Sequence, residues 1–204
     1  LEDDPEKKEY ADLVLHGARR LESMIGRALA LCEFKSGKAV LQHTRVDLGA
    51  LVDDAITSLA DTIEANGVQV RRTASADLEI EADAEAVQTA LGGVLRHAVS
   101  KGAEEASLEI AWRPSTEGVE LQIRASEPHV DDAWLPHLFE DFYVPSLDNH
   151  TGVLDLDLAL AGAIVRMHDG TIDAEFDAAR SLVYRIRLPR KPAPVESPDP
   201  ALNA

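Results

Sequence analysis

The chain has 204 residues, 45% of them hydrophobic but only 4% aromatic, and a formal net charge of −17. This length holds one medium domain with an appendage, its core built mainly from Leu, Val, Ile and Ala. The charge argues against nonspecific binding to nucleic acid or anionic membranes. A lone cysteine, Cys32, leaves no internal disulfide framework and fits a reducing cytoplasm. The longest apolar runs are interrupted by Asp or Arg, so no membrane span is expected, and the acidic start is unlike a signal peptide. Because the first residue is Leu1 rather than Met, the chain reads as a fragment or a processed product.

From Glu6 to Phe34 the pattern predicts one long helix. Its seam is Tyr10, Val14, Gly17, Leu21, Met24, Ala28 and Leu31, flanked by Leu13, Ile25, Leu29 and Cys32. So wide an apolar face calls for a partner, either an upstream segment or a second copy, with folding back onto its own domain as the alternative. Ser36-Gly37 ends the helix, and Val40 and Leu41 lie in a short extended stretch. Asp47 is the expected N-cap of a second helix with Leu48, Leu51, Val52, Ala55, Leu59 and Ile63 on its apolar side, stopped by Asn66-Gly67. Val68 to Arg72 and Leu78 to Ile80 read as strands, and a third helix follows Asp83, with Val87, Leu91, Val94, Leu95 and Ala98 on one side.

Two strands, Ser107 to Trp112 and Val119 to Ile123, form a predicted hairpin across Pro114 to Gly118. Asp131 to Leu147 is mixed and turn-rich. The stretch Thr151 to Gly170 begins as a loop and becomes a helix, with Leu154, Leu158, Ala161, Val165 and His168 at helical spacing. A loop that turns into a helix commonly binds phosphate, because free N–H groups and the positive end of the helix dipole meet there. Here that position carries Asp155 and Asp157. Strands are expected at Thr171 to Phe176 and Ser181 to Leu188, and residues 191–204 form a Pro-rich tail expected to be disordered.

The order of these elements, with the residues joining them, resembles the C-terminal region of bacterial sensor histidine kinases over about Tyr10 to Pro189. Leu21 to Ile25 through Glu33 to Lys38 resembles the end of the second dimerisation helix, and Val46-Asp47-Leu48 the start of the ATP-binding domain. Glu81 to Val87 resembles the start of the N-box helix, Leu138-Phe139-Glu140-Asp141-Phe142-Tyr143 the F box, and Ile164 to Gly170 the end of the second glycine box. The resemblance implies an α+β fold, a two-layer α/β sandwich of the Bergerat (GHKL) ATPase kind shared with gyrase, MutL and heat-shock chaperone ATPases. It divides the chain into a dimerisation-type helix at 1–38, an ATPase-like domain at 39–190 and the tail.

Departures from the family pattern fall on the nucleotide-binding positions. Where the N box of the family places asparagines that hold Mg²⁺ and phosphate, this chain reads Gly93 and His97. A hard cation gains no oxygen ligand from either. The aspartate that accepts from the adenine amino group falls on Ala125, and the first-box glycines on Glu127 and His129, with Ser126 or Glu127 able to replace that aspartate only in a shifted register. Second-box glycines fall on Val153, Asp155 and Asp157. A carboxylate about 4 Å from a phosphate charge costs roughly 4 kcal/mol at an effective dielectric of 20. A lost buried hydrogen bond to a charged group adds about 1.5–3 kcal/mol, against a total of about 8 kcal/mol for a micromolar site.

The sequence therefore implies a catalytically inactive, kinase-like module of two-component signalling, with no catalytic residue, metal or cofactor expected. Its expected contacts are a homodimer through the first helix and docking to a response regulator or a histidine kinase. The alternatives are a divergent kinase that binds ATP and Mg²⁺, a histidine phosphotransferase whose phosphohistidine lies upstream, and a partner-switching protein of the same fold. Asp155 and Asp157 also have a plain reading as helix-start carboxylates. His16 reads as an ordinary helix residue, His168 as structural, Cys32 as a buried inert thiol, and Phe139, Phe142 and Tyr143 as packing beneath a lid. His97 has no second ligand at a convincing spacing for a metal.

Overall fold

A computed structural model of the chain describes residues 5–74, 77–103, 106–140 and 156–191. The tail expected at 191–204 lies outside the described residues except for Lys191, as do Phe142, Tyr143 and Asp155. The first helix, α1, runs Pro5–Lys35 and ends in the turn around Gly37. A short strand, β1 (Thr44–Asp47), leads into α2 (Leu48–Ser58), where the Asp47 carboxylate accepts a hydrogen bond from the Gly49 N–H at 2.8 Å. The single helix expected from Leu48 to Ile63 is broken at Leu59, and its remainder is α3 (Ala60–Ala65), which Gly67 closes in the left-handed region. The chain then gives β2 (Gln69–Ala74), β3 (Glu79–Ala82), α4 (Ala84–Lys101), β4 (Ser107–Pro114) and β5 (Gly118–Ala125). After a 3-10 turn at Asp132–His137 come α5 (Leu156–Met167), β6 (Thr171–Phe176) and β7 (Leu182–Pro189).

Among the described residues five strands form one sheet in the order β2-β4-β5-β7-β6, parallel between β2 and β4 and antiparallel elsewhere. Period-two alternation sends Val119, Leu121, Ile123 and Ala125 of β5 into the core and Gln122 and Arg124 outward. One face is covered by α4 and α5, with α2 against α4 and the end of α1 against α5. This gives the expected two layers. Leu91, Val94 and Leu95 of α4, Leu158, Ala161 and Ile164 of α5, and Ile110, Ile123 and Tyr184 of the sheet are all buried between them. A separate antiparallel ribbon pairs β1 with β3, from Thr44 opposite Ala82 to Asp47 opposite Glu79. It brings the segment after α1 back to the start of α4.

Helix α1 divides into two parts. Its last turns fold onto the domain: Leu31 is 1% exposed, and Ala28 and Phe34 pack partly buried against the core. Tyr10, Val14 and Leu21 of the expected seam, with Leu13, Leu15, Ile25 and Leu29, are exposed, while Met24 is half-buried. The expectation that Cys32 is buried is corrected, since its thiol is exposed. With Leu31 turned onto α5, the next residue lies about 100° round the helix and faces away. His16 is likewise on an exposed face.

Candidate functional site

The N-terminus of α4 is fixed from three directions. Asp83 caps it through Oδ1, which accepts from the Ala86 N–H at 3.0 Å, while Oδ2 accepts from the Gln42 N–H at 2.8 Å. Burial opposes ionisation of Asp83, but these backbone donors outweigh it and hold the carboxyl below its ordinary value. The Asp83 N–H donates to Nε2 of His168 at 3.1 Å, so Nδ1 of that ring carries the proton and donates to the Ile164 carbonyl at 2.9 Å. Burial first of all keeps the His168 pKa low, and the ring is a structural tie between α5 and α4.

On α4, Gly93 is in contact with the first turn of α5. A Cβ at this position would lie 2.9 Å from the Asp157 carbonyl oxygen, a distance real Cβ atoms do not keep, and the opposing atom is backbone. No side chain fits here without moving α5. One turn further on, His97 points into the core rather than into a pocket. It is 4% exposed, its Nδ1 shares a 2.7 Å hydrogen bond with the Tyr184 hydroxyl, and the two rings meet edge to face. Burial holds its pKa down to about 4; Lys101 adds to this and Asp157 opposes it. Imidazole 97 is therefore neutral at pH 7.

Asp157 is the second residue of α5 and is 9% exposed. Its two carboxylate oxygens accept from Nη1 of Arg27 at 2.9 and 2.8 Å, and Oδ2 lies 3.3 Å from Nε of Arg96. Arg27 also donates to the Ser23 hydroxyl one turn back. The carboxylate at the helix start thus meets two guanidinium groups, one from α1 and one from α4. A cleft of about 530 Å³ opens beside it, lined by Arg27, Gln88, Thr89, Arg96, Asp157 and Leu160 among others.

Ala125, Glu127 and His129 belong to the end of β5 and the loop after it. Ala125 ends β5, buried between Leu108 of β4 and Leu182 of β7, and presents no polar atom. Ser126 cannot serve in its place here, because its hydroxyl accepts from the N–H and hydroxyl of Ser107 at 2.8 and 3.2 Å. Glu127 and His129 are exposed; the Glu127 carbonyl accepts from the Ala103 N–H, and the His129 N–H donates to the Lys101 carbonyl. Their loop is fastened along the end of α4. Phe139 is partly buried, with its Cβ against Gly162 of α5.

Gly93, His97 and Asp157 are therefore brought together, while Ala125, Glu127 and His129 stand at the end of β5 and in the loop after it. Sequence reasoning missed Arg27 and Arg96. Arg96 stands between the two N-box positions and Arg27 beside the seam residue Ala28, but nothing local links either to a carboxylate 61 or 130 residues away. No group of three or more His, Cys, Asp or Glu among the described residues is arranged to hold a metal ion. Among the same residues no helix is long and apolar enough to cross a membrane.

No family model matches the chain. It is 26% identical over 191 residues, 92% of its length, to the sensor protein VanS of Enterococcus faecium, and spans about half (49%) of that protein. Its fold is similar to that of the histidine kinase AdeS of Acinetobacter baumannii, with a TM-score of 0.76, 16% identity, and coverage of 93% of this chain and 87% of that one. The histidine kinase ThkA, solved in complex with the response regulator protein TrrA, superposes with a TM-score of 0.72 at 20% identity, covering 93% of this chain and 53% of that one.

Proposed function

We propose that the chain, similar in sequence and fold to histidine kinases and built as a dimerisation-type helix followed by an ATPase-type domain, acts in two-component signalling as a catalytically silent module. In this reading it binds little or no ATP and works by dimerising through α1 and docking a response regulator or a kinase. One observation carries it: the Asp157 backbone lies against Gly93, at the position where the family holds Mg²⁺ and phosphate, and the Asp157 carboxylate is already neutralised by Arg27 and Arg96. A triphosphate entering there would have to displace the Asp157 backbone packed on Gly93, and its cation would find no oxygen ligand on the side chains at positions 93 and 97. Ala125 supports the reading from the other side, where an acceptor for the adenine amino group is missing. The partner class is suggested by ThkA and its bound response regulator.

Titration calorimetry of the chain with ATP and ADP at millimolar concentration, with and without Mg²⁺, tests this. The expected result is no saturable heat alongside a cooperative thermal melt. Saturable, Mg²⁺-dependent binding would overturn it and put the divergent kinase first, in which case Asp157→Gly should weaken rather than leave untouched the measured affinity.

A further inference from the structure

We propose that Arg27, Arg96 and Asp157 form an ionic latch that clamps α1 to the helical layer and sets the orientation of the domain on the dimerisation helix. The three side chains come from α1, α4 and α5 and are joined at the Asp157 carboxylate. Their position along α1 gives the contact its meaning. Upstream of Arg27, Leu13, Val14, Leu15, Leu21 and Ile25 are exposed and α1 leaves the domain; downstream, Leu31 is buried and Phe34 packs against the core. Arg27 sits at the boundary, where the helix would pivot.

The chemistry suits a latch rather than a fixed core contact. The Asp157 side chain is 11% exposed while those of Arg27 and Arg96 are 30% and 38% exposed, so the bond is strong enough to matter and still reached by water and salt. The adjoining 530 Å³ cleft leaves room for both guanidinium groups to withdraw. Arg96 is shared with the N-box helix, so opening at Arg27 does not leave Asp157 wholly uncompensated. The latch goes beyond the functional reading above and does not need nucleotide binding to be absent.

Hydrogen exchange of the full chain read by mass spectrometry tests it, in wild type, Arg27→Ala, Asp157→Asn and the double variant. Peptides over residues 24–35 and 156–162 report the latch, and residues 108–123 of β4 and β5 serve as reference. Each single substitution should speed exchange in the first two by about tenfold and leave the reference unchanged, while the double variant should go no further than Asp157→Asn alone. Arg27→Lys should recover part of the protection, and 0.5 M NaCl should loosen the wild type in the same peptides. Unchanged exchange in the single variants, effects that multiply in the double variant, or a rise shared by the reference peptide would each overturn the latch. Calorimetry on the wild type reports nucleotide binding separately, so the two ideas fail independently.

Discussion

A histidine sealed in a core acts as a stability sensor whether or not it has any other role. His97 takes up a proton at about 4 when folded and near 6.5 when unfolded. Between these values the unfolded chain binds more protons, so stability is complete above 6.5 and falls as the pH drops towards 4. A displacement from 6.5 to about 4 is equivalent to about 3 kcal/mol at 1.36 kcal/mol per unit. Urea denaturation at a series of pH values should show this decline in the wild type and a flatter profile in His97→Gln. The expected outcome fails if both slopes coincide, which would mean that the ring and the Tyr184 hydroxyl adapt to the charge.

At the level of the element, the sheet face opposite the helices carries an ion-pair ladder. Glu120 of β5 lies directly opposite Arg113 of β4 and Arg187 of β7 and accepts from both, at 2.6 and 2.8 Å, while Arg187 also reaches Asp173 of β6 at 2.7 Å. Burial would raise the Glu120 pKa, but Arg113, Gln122 and Arg187 overcome this and hold it below the ordinary glutamate value. Glu120→Gln should cost about 1–2 kcal/mol in urea unfolding at pH 7, the arginine ends being largely solvated. The difference from wild type should vanish as the pH falls through the lowered Glu120 value, because the contribution of a depressed carboxyl is present above its unfolded pKa and lost below its folded one.

Elements of this kind were legible where one face is buried and the other is not. The alternation of β5 and the 3.6-residue period of α4 announce themselves because each packs on a single side. β1 was not foreseen, since only Val46 of its four residues is even half-buried and its pairing with β3 is made across 31 intervening residues of chain. The break at Leu59 was missed for a related reason, as Leu59 is buried and keeps the hydrophobic pattern running through the interruption. Cys32 was misplaced because periodicity tells that α1 has an apolar face, and not which part of it its own domain covers.

For the whole molecule, the free part of α1 and the net charge of −17 act in opposite directions. Pairing two copies along the exposed Tyr10, Leu13, Val14 and Leu21 face buries apolar surface but brings two acidic chains together. Sedimentation equilibrium should therefore show a dimer that tightens as salt rises from about 0.05 to 0.3 M, as shielding of like charges predicts. Leu21→Glu should weaken it at every salt concentration. A monomer across this range would remove dimerisation from the functional reading. The site was half legible at this scale: substituted positions stand in the sequence, but Arg27 and Arg96 become partners of Asp157 only when three distant helices meet.

The close approach of Gly93 to the Asp157 carbonyl also has an evolutionary consequence. An asparagine gained first at position 93 would be driven into α5 backbone and cost stability before it could ligate anything. Replacing Asp157 first would strip Arg27 and Arg96 of their carboxylate, again with no ligand gained. Neither single step is rewarded, and the two are coupled through one contact, so their effects do not add. On the proposed reading, a nucleotide pocket at this contact would have to begin with changes that draw the start of α5 away from α4, and until those occur the packing would work as a ratchet.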